Sequence, residues 1–248
     1  MPLLAVRGAL DTANRGTYAA PMATVVSVNV GRAEPTVHSA VDVTGIDKRP
    51  VMTAVEVRAP GSKRDGLGSG LVGDMVCSRR HHGGDDQAVY AYAREDLDTW
   101  AAALGRSLGN GCFGENLTTA QVDITGAVIG ERWRIGDALV LEVSSPRIPC
   151  NTFAGWLGEH DWIGTFTRAA RPGAYLRVIE PGQVQHGDSI LVVRRPEHEV
   201  TIGLVFRALT LEPLLLERVL AANALPGGDQ PAARRRLEQA LRTATRTQ

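Results

Sequence analysis

The sequence predicts a mainly β fold, a closed or partly closed β-barrel with helical insertions, followed by a small C-terminal three-helix domain. Three observations carry this. Short β-branched runs recur between Gly-Asp, Pro and Gly turn signals. Few helical patterns lie between them and no strand–helix–strand rhythm is apparent, which argues against a doubly wound sheet. After Pro196 the apolar spacing becomes helical. The expected division is a disordered lead over 1–23, a barrel domain over 24–195 and a three-helix domain over 197–248.

In the lead, Asp11, Asn14, Arg15 and Gly16 interrupt any apolar stretch, so it does not read as a signal peptide. Met22 directly precedes the first strand pattern and is a candidate start of translation. Residues 24–30 read as that strand and 51–57 as a second, closed by Ala59-Pro60-Gly61. Gly66, Gly68, Gly70 and Gly73 follow. Without a Walker lysine motif, tight turns explain them better than phosphate cradling. Residues 88–92 read as a strand and 94–104 as a helix. In that helix Leu97, Trp100, Ala101 and Leu104 share one face, and Glu95 and Asp96 sit in the first turn where the dipole favours them.

Residues 109–119 read as a polar, glycine-rich loop. The turns Ile135-Gly136-Asp137 and His186-Gly187-Asp188 open strands over 138–144 and 189–193. Residues 156–170 have a helical pattern ended by Arg171-Pro172-Gly173, and 175–179 form a strand pattern. Thr201 is placed to cap a first C-terminal helix, Thr210 a second over 211–222, and a third covers 231–244. The run Arg234-Arg235-Arg236 reads as a solvated helix face, because no aromatics interleave with it.

Charge and cysteine usage narrow the function. Lys+Arg and Asp+Glu each number 27, so no global field favours nucleic acid or an anionic membrane. The 3 cysteines form no CxxC pair, which fits a reducing, cytoplasmic setting better than a disulfide framework. No stretch is long and apolar enough for a membrane span.

The most informative stretch is Pro146-Arg147-Ile148-Pro149-Cys150. Two prolines stop the preceding strand, since each fixes φ and removes a backbone donor. Cys150 is thereby held at a strand end with Arg147 upstream, and a guanidinium favours the thiolate, the nucleophilic and metal-binding form. The plainer reading is a cysteine packed as a small hydrophobe. Three chemistries are open on the residues alone. His81, His82, Asp85 and Asp86 are metal-ligand types, but adjacent histidines on a strand diverge and no HExxH pattern completes a set. Cys150 with His82 as base could make a thiol nucleophile, though no oxyanion-hole motif accompanies them. A Cys150 thiolate could instead bind a soft redox metal carried by a phosphate-bearing organic cofactor, with Arg147 pairing the phosphate.

The ordered set Gly73-Asp74, residues 82–92 (HGGDDQAVYAY), residues 111–118 (GCFGENLT), Ile135-Gly136-Asp137 and residues 146–150 (PRIPC) resembles the MOSC family, the molybdenum-cofactor-sulfurase C-terminal domain. Its order and spacing are similar to the stand-alone YiiM-like branch, linked with resistance to hydroxylaminopurine. The resemblance covers about 24–195, and the segment after Pro196 looks like that branch's three-helix addition. It implies a MOSC-type β-barrel, binding of the molybdenum cofactor (molybdopterin), and a functional cysteine, catalytic and metal-ligating, at Cys150. It further implies that His82, Gly83, Gly84, Glu115, Asn116, Leu117, Thr118 and Arg147 bind the cofactor. Two positions depart from the family pattern: Gln87 replaces a common lysine and Ser78 a common aspartate.

The resemblance leads to an oxidoreductase that reduces small N-hydroxylated compounds, such as hydroxylaminopurine-type base analogues, to amines. Electrons would come from a separate flavoprotein or iron–sulfur protein, because the chain has no cysteine set for a cluster. No nucleic-acid or membrane partner is expected. The helical addition is a candidate for homodimerisation or for docking the donor. Two alternatives stand beside this: a sulfur carrier with a persulfide on Cys150, and a non-catalytic cofactor-binding module.

Overall fold

The structure is a computed structural model and describes residues 22–246. The expected disordered lead lies outside them, except for Met22 and Ala23. In chain order the first half contains β1 (Thr24–Gly31), β2 (Glu34–Pro35), β3 (Val43–Thr44), β4 (Lys48–Val51), β5 (Val55–Val57), β6 (Val89–Ala93), α1 (Arg94–Leu104) and β7 (Leu117–Ala120). The second half contains β8 (Arg132–Ile135), β9 (Leu139–Pro146), α2 (Asn151–Leu157), α3 (Trp162–Ala169), β10 (Ala174–Glu180), β11 (Gly182–Val184) and β12 (Ile190–Arg194). Three helices end it: α4 (Ile202–Thr210), α5 (Leu216–Ala221) and α6 (Gln230–Arg246).

Eight strands form one sheet in the order β12-β8-β9-β10-β6-β7-β1-β4. The sheet curls until the start of β1 reaches the start of β12. There Thr24 bridges Ser189, Val25 N–H donates to the Asp188 carbonyl and Ile190 N–H donates to the Ala23 carbonyl. No continuous ladder seals that seam, so the sheet is not closed. The mainly β expectation holds, in its partly closed form.

Several elements differ from the sequence reading. β6 and β7 are parallel, with Ala91 opposite Leu117, and α1 connects them. A strand–helix–strand unit therefore exists where none was expected. Its second strand was hidden because Thr118 and Thr119 look like loop residues, yet both are fully buried. The expected strand over 51–57 is two strands, parted at an exposed Met52. The helix expected over 156–170 is two helices, because Gly158 adopts φ 71° and ends α2. Thr201 does cap α4, accepting from the Leu204 N–H. Thr210 does not start the next helix: it closes α4, and its hydroxyl donates to the Phe206 carbonyl. A 3-10 turn at Pro213–Leu215 then leads into α5.

Two packed clusters position the rest. Ile202, Val205, Leu216 and Val219 of the C-terminal helices share one core with Leu139, Leu141 and Val143 of β9. A second, aromatic cluster joins Phe113, Phe153, Trp162 and Phe166. Phe153 meets Phe113 at 5.1 Å and Phe166 at 5.2 Å between centroids, both edge-on. Such pairs add about 0.5–1.5 kcal/mol each beyond burial. This cluster lies under the loop that follows β9.

Candidate functional site

The residues of interest meet at one end of β9, β10, β6 and β7. β9 ends at Pro146, opposite Ala174 at the start of β10. Tyr175 of β10 pairs with Tyr90 of β6, and Asn116 immediately precedes β7. These ends form the floor of a cleft of about 700 Å³. Cys150, half-buried between β9 and α2, lines it with Arg147, His82, Gly83 and Asn116. That volume suits an organic ligand of cofactor size.

Arg147 is 6% exposed, and its guanidinium carbon lies 4.0 Å from the Phe153 ring centroid and 5.1 Å from that of Tyr90. Stacking on aromatic faces offsets part of the cost of burying a cation. One Nη donates to the Phe113 carbonyl, while Nε is buried without a partner. Burial disfavours the Arg147 charge, but Tyr90, Tyr175 and Cys150 outweigh it and hold its pKa above the usual arginine value. Gln87 also lines the cleft, and its side-chain oxygen is likewise buried without a partner.

Four of the expected cofactor residues do not line this cleft. Gly84 packs against the loop before it: its N–H donates to the Gly68 carbonyl, its φ is 79°, and an added Cβ would lie 2.7 Å from the Lys63 backbone. Leu117 is part of the apolar core. Thr118 is fully buried and ties Asn29 to Glu115. Glu115 is 0% exposed and accepts from the Gly111 N–H, the Phe113 N–H and the Thr118 hydroxyl. Burial pushes its carboxyl pKa up, and these hydrogen bonds oppose the shift. Glu115 thus shapes the loop whose Phe113 carbonyl holds Arg147.

The sequence reading also missed a buried ion pair in the cleft. The Asp74 carboxylate is fully buried, and Lys48 Nζ donates to it in a short contact. It also accepts from the Gly31 N–H at 2.8 Å, the Ser69 hydroxyl at 2.6 Å and Asn116 Nδ2 at 2.9 Å. Asp74 was visible beside Gly73, but Lys48 and Asn116 lie 26 and 42 positions away, and nothing local announces the pairing. Arg236 of α6 also lines the cleft, although its run read as a solvated face.

The three cysteines differ. Burial, then Glu115, pushes the Cys112 thiol up to about 12, which leaves it protonated and inert. Burial also raises the Cys77 thiol, which shares the cleft. Among the described residues no group of three or more His, Cys, Asp or Glu is placed to hold a metal ion. A metal here would need a ligand set completed from outside the described residues. Nor, among the described residues, is any helix long and apolar enough to cross a membrane.

His82 makes a pH prediction. Burial, then the Arg147 charge, lowers its pKa from 6.5 to about 4. Between these values the unfolded chain binds the proton and the folded chain does not. Stability therefore rises with pH from about 4 to 6.5, and this contribution levels off above. Urea denaturation of His82→Gln across that window is expected to show a shallower pH slope than the parent chain. An unchanged slope would show that His82 is freely protonated in the folded state.

The MOSC domain model matches residues 78–191, which include His82, Asn116 and the loop to Cys150. Bacillus subtilis YflK, an uncharacterised protein, is 32% identical over 205 residues, covering 81% of this chain and 88% of its own length. The chain belongs to the MOSC domain family. Escherichia coli YiiM is 31% identical over 129 residues, and the match spans 57% of that protein. A Gibberella moniliformis protein named as a reductase is 29% identical over 182 residues, but the match spans only 32% of its length. In three dimensions, the crystal structure of Geobacillus stearothermophilus YiiM aligns with a TM-score of 0.68 at 25% identity, covering 87% of this MOSC chain and 99% of that one. The Escherichia coli YiiM crystal structure shares the fold at a TM-score of 0.66 and 22% identity.

Proposed function

We propose that this MOSC chain binds the molybdenum cofactor in its cleft and reduces N-hydroxylated compounds to amines. The observation that carries the reading is a free, half-buried Cys150 in a cofactor-sized cleft beside two buried polar atoms that lack partners, Arg147 Nε and Gln87 Oε1. Buried polar groups are normally satisfied, so each unpaired one needs an explanation. A bound heterocycle and phosphate supply both a donor and acceptors. Thiolate is a suitable ligand for such a soft metal, and since the described residues offer no further ligand group, the cofactor itself would supply the rest.

When bound, the cofactor supplies two-electron chemistry: an N–OH compound, two electrons and two protons give N–H and water. The chain's residues hold and orient. Cys150, fixed between Pro149 and the first turn of α2, would hold the metal. Arg147, braced by Phe153 and the Phe113 carbonyl, offers Nε to an anionic oxygen. Gln87 accepts from a ring N–H. His82 is neutral at pH 7 and so orients without adding charge. The electron donor is a separate flavoprotein or iron–sulfur protein, and the reaction is placed in the cytoplasm. The reductase name of the Gibberella relative and the likeness to YiiM support the reaction class.

The test is the full chain loaded with cofactor, a chemical reductant and an N-hydroxylated purine. Amine is expected to appear in step with loss of the N-hydroxy compound. Metal-loaded protein that consumes neither purine nor reductant contradicts the reading.

A further inference from the structure

β2 and β3 form a hairpin that runs from the end of β1 across to α2. Glu34 pairs with Thr44 and Pro35 with Val43. Its base is fixed. A Cβ on Gly31 would overlap the Gly45 carbonyl, and one on Gly45 the Met75 carbonyl. Gly31 is also tied by its N–H to Asp74 and by its carbonyl to the Met75 N–H. The tip is closed on itself: the Thr36 N–H donates to the Asp42 carbonyl, and the Asp42 N–H to the Ser39 carbonyl. Yet no residue of 34–44 is fully buried.

Two contacts hold this tip, and both are on α2. Thr152 Oγ1 donates to the His38 carbonyl at 2.9 Å, the one hydrogen bond among the described residues between 36–42 and another element. The His38 ring lies against Gly155, where an added Cβ would overlap it. Thr152 follows Cys150 by two positions, so the latch sits beside the thiol. No large side chain anchors the tip: Val37 is 90% exposed and Val41 46%. One net hydrogen bond and one ring contact are weak enough for local opening at ambient temperature.

The tip separates two spaces. On one side is the cleft, which His38, Ser39 and Ala40 line together with Cys150. On the other is an open pocket of about 550 Å³ between residues 37–40 and Asn151, Ala154 and Gly155. Cys150 lines only the cleft, whereas the next residue, Asn151, lines both.

We propose that the β2–β3 hairpin is a latched strap that sorts by size what reaches Cys150, with His38 as the residue that sets the limit. Latched, it leaves a passage for small molecules. Unlatched, it joins the outer pocket to the cleft. On the N-hydroxy reading above, the substrate is then a free base or nucleoside and not a base within a polynucleotide. The strap itself does not rest on that reading.

The test is thiol labelling of the full chain, freed of bound metal, with two uncharged maleimides of different bulk, N-ethylmaleimide and N-(1-pyrenyl)maleimide. Mass spectrometry reads each cysteine. The ratio of pyrenyl to ethyl rates is expected to be lower for Cys150 of the parent than for free glutathione. Thr152→Val, His38→Ala and Gly155→Ala should each raise it by about fivefold, the shift that one net hydrogen bond is worth. Val41→Ala trims the tip at a position that lines neither space and should leave the ratio unchanged. Cys112, outside the cleft lining, should stay unlabelled throughout.

A parent ratio equal to that of glutathione, or latch variants that match the parent, overturns the proposal. So does labelling of Cys112 in step with Cys150, which would mean general loosening. If His38→Ala or Gly155→Ala fails to fold, Thr152→Val carries the comparison. Reduction of an N-hydroxylated base within an oligonucleotide as fast as the free base also overturns the strap. If the chain reduces neither, the N-hydroxy reading fails, and the labelling still decides the strap.

Discussion

Cys150→Ala is expected to lose N-hydroxy reduction by more than about 100-fold, beyond the range that losing a mere supporting group around a metal costs. Alanine removes the soft ligand while leaving the backbone between Pro149 and α2 undisturbed. The side chain is only half-buried, so folding should survive. Cys112→Ala is the matching control. Its thiol is held protonated by burial, and although its carbonyl accepts from Trp156 Nε1, that bond is to backbone and persists in alanine. Steady-state rates with a chemical reductant separate the two variants. Equal activity of Cys150→Ala and the parent would remove Cys150 from the chemistry.

Glu115→Ala is expected to cost about 3 kcal/mol of stability or more, since each buried donor left without its acceptor costs about 1–3 kcal/mol. Three donors, from Gly111, Phe113 and Thr118, would be left facing an apolar interior. Against a typical stability of about 5–15 kcal/mol, that is enough to lower soluble yield visibly. The loss should also reach the cleft, because the Phe113 carbonyl that holds Arg147 sits on the same loop. Urea denaturation measures the first effect. A midpoint within experimental error of the parent's would mean that Glu115 does not organise the loop.

Much of the barrel was legible because its strands carry β-branched runs between strong turn signals. α1 was found because Leu97 and Trp100, its two buried residues, fall on the expected face. β7 was not found, since Thr118 and Thr119 owe their burial to neighbours far along the chain: Thr118 to Asn29 and Glu115, Thr119 to β1 beside Val25. The break at Gly158 depended on a left-handed glycine that a helical apolar pattern masks. At the site, Cys150, Arg147, His82, Gly83 and Asn116 could be named in advance from the family-like motifs, and the structure brings them to one cleft. The same motifs hold Gly84, Glu115, Leu117 and Thr118, which shape and pack the loops around that cleft. A motif records what a site needs without separating the groups that touch a ligand from those that hold them. The Lys48–Asp74 pair and the place of Arg236 at the cleft were illegible for a different reason: each depends on a long-range juxtaposition with no local pattern.

The claim that the cleft holds a molybdenum cofactor through Cys150 is tested most directly by elemental and mass analysis of freshly purified full-length protein. Molybdenum near one atom per chain, with pterin, and a sharp fall of the metal in Cys150→Ala are the predicted result. A sulfur adduct on Cys150 with no molybdenum would contradict it and make the chain a persulfide carrier.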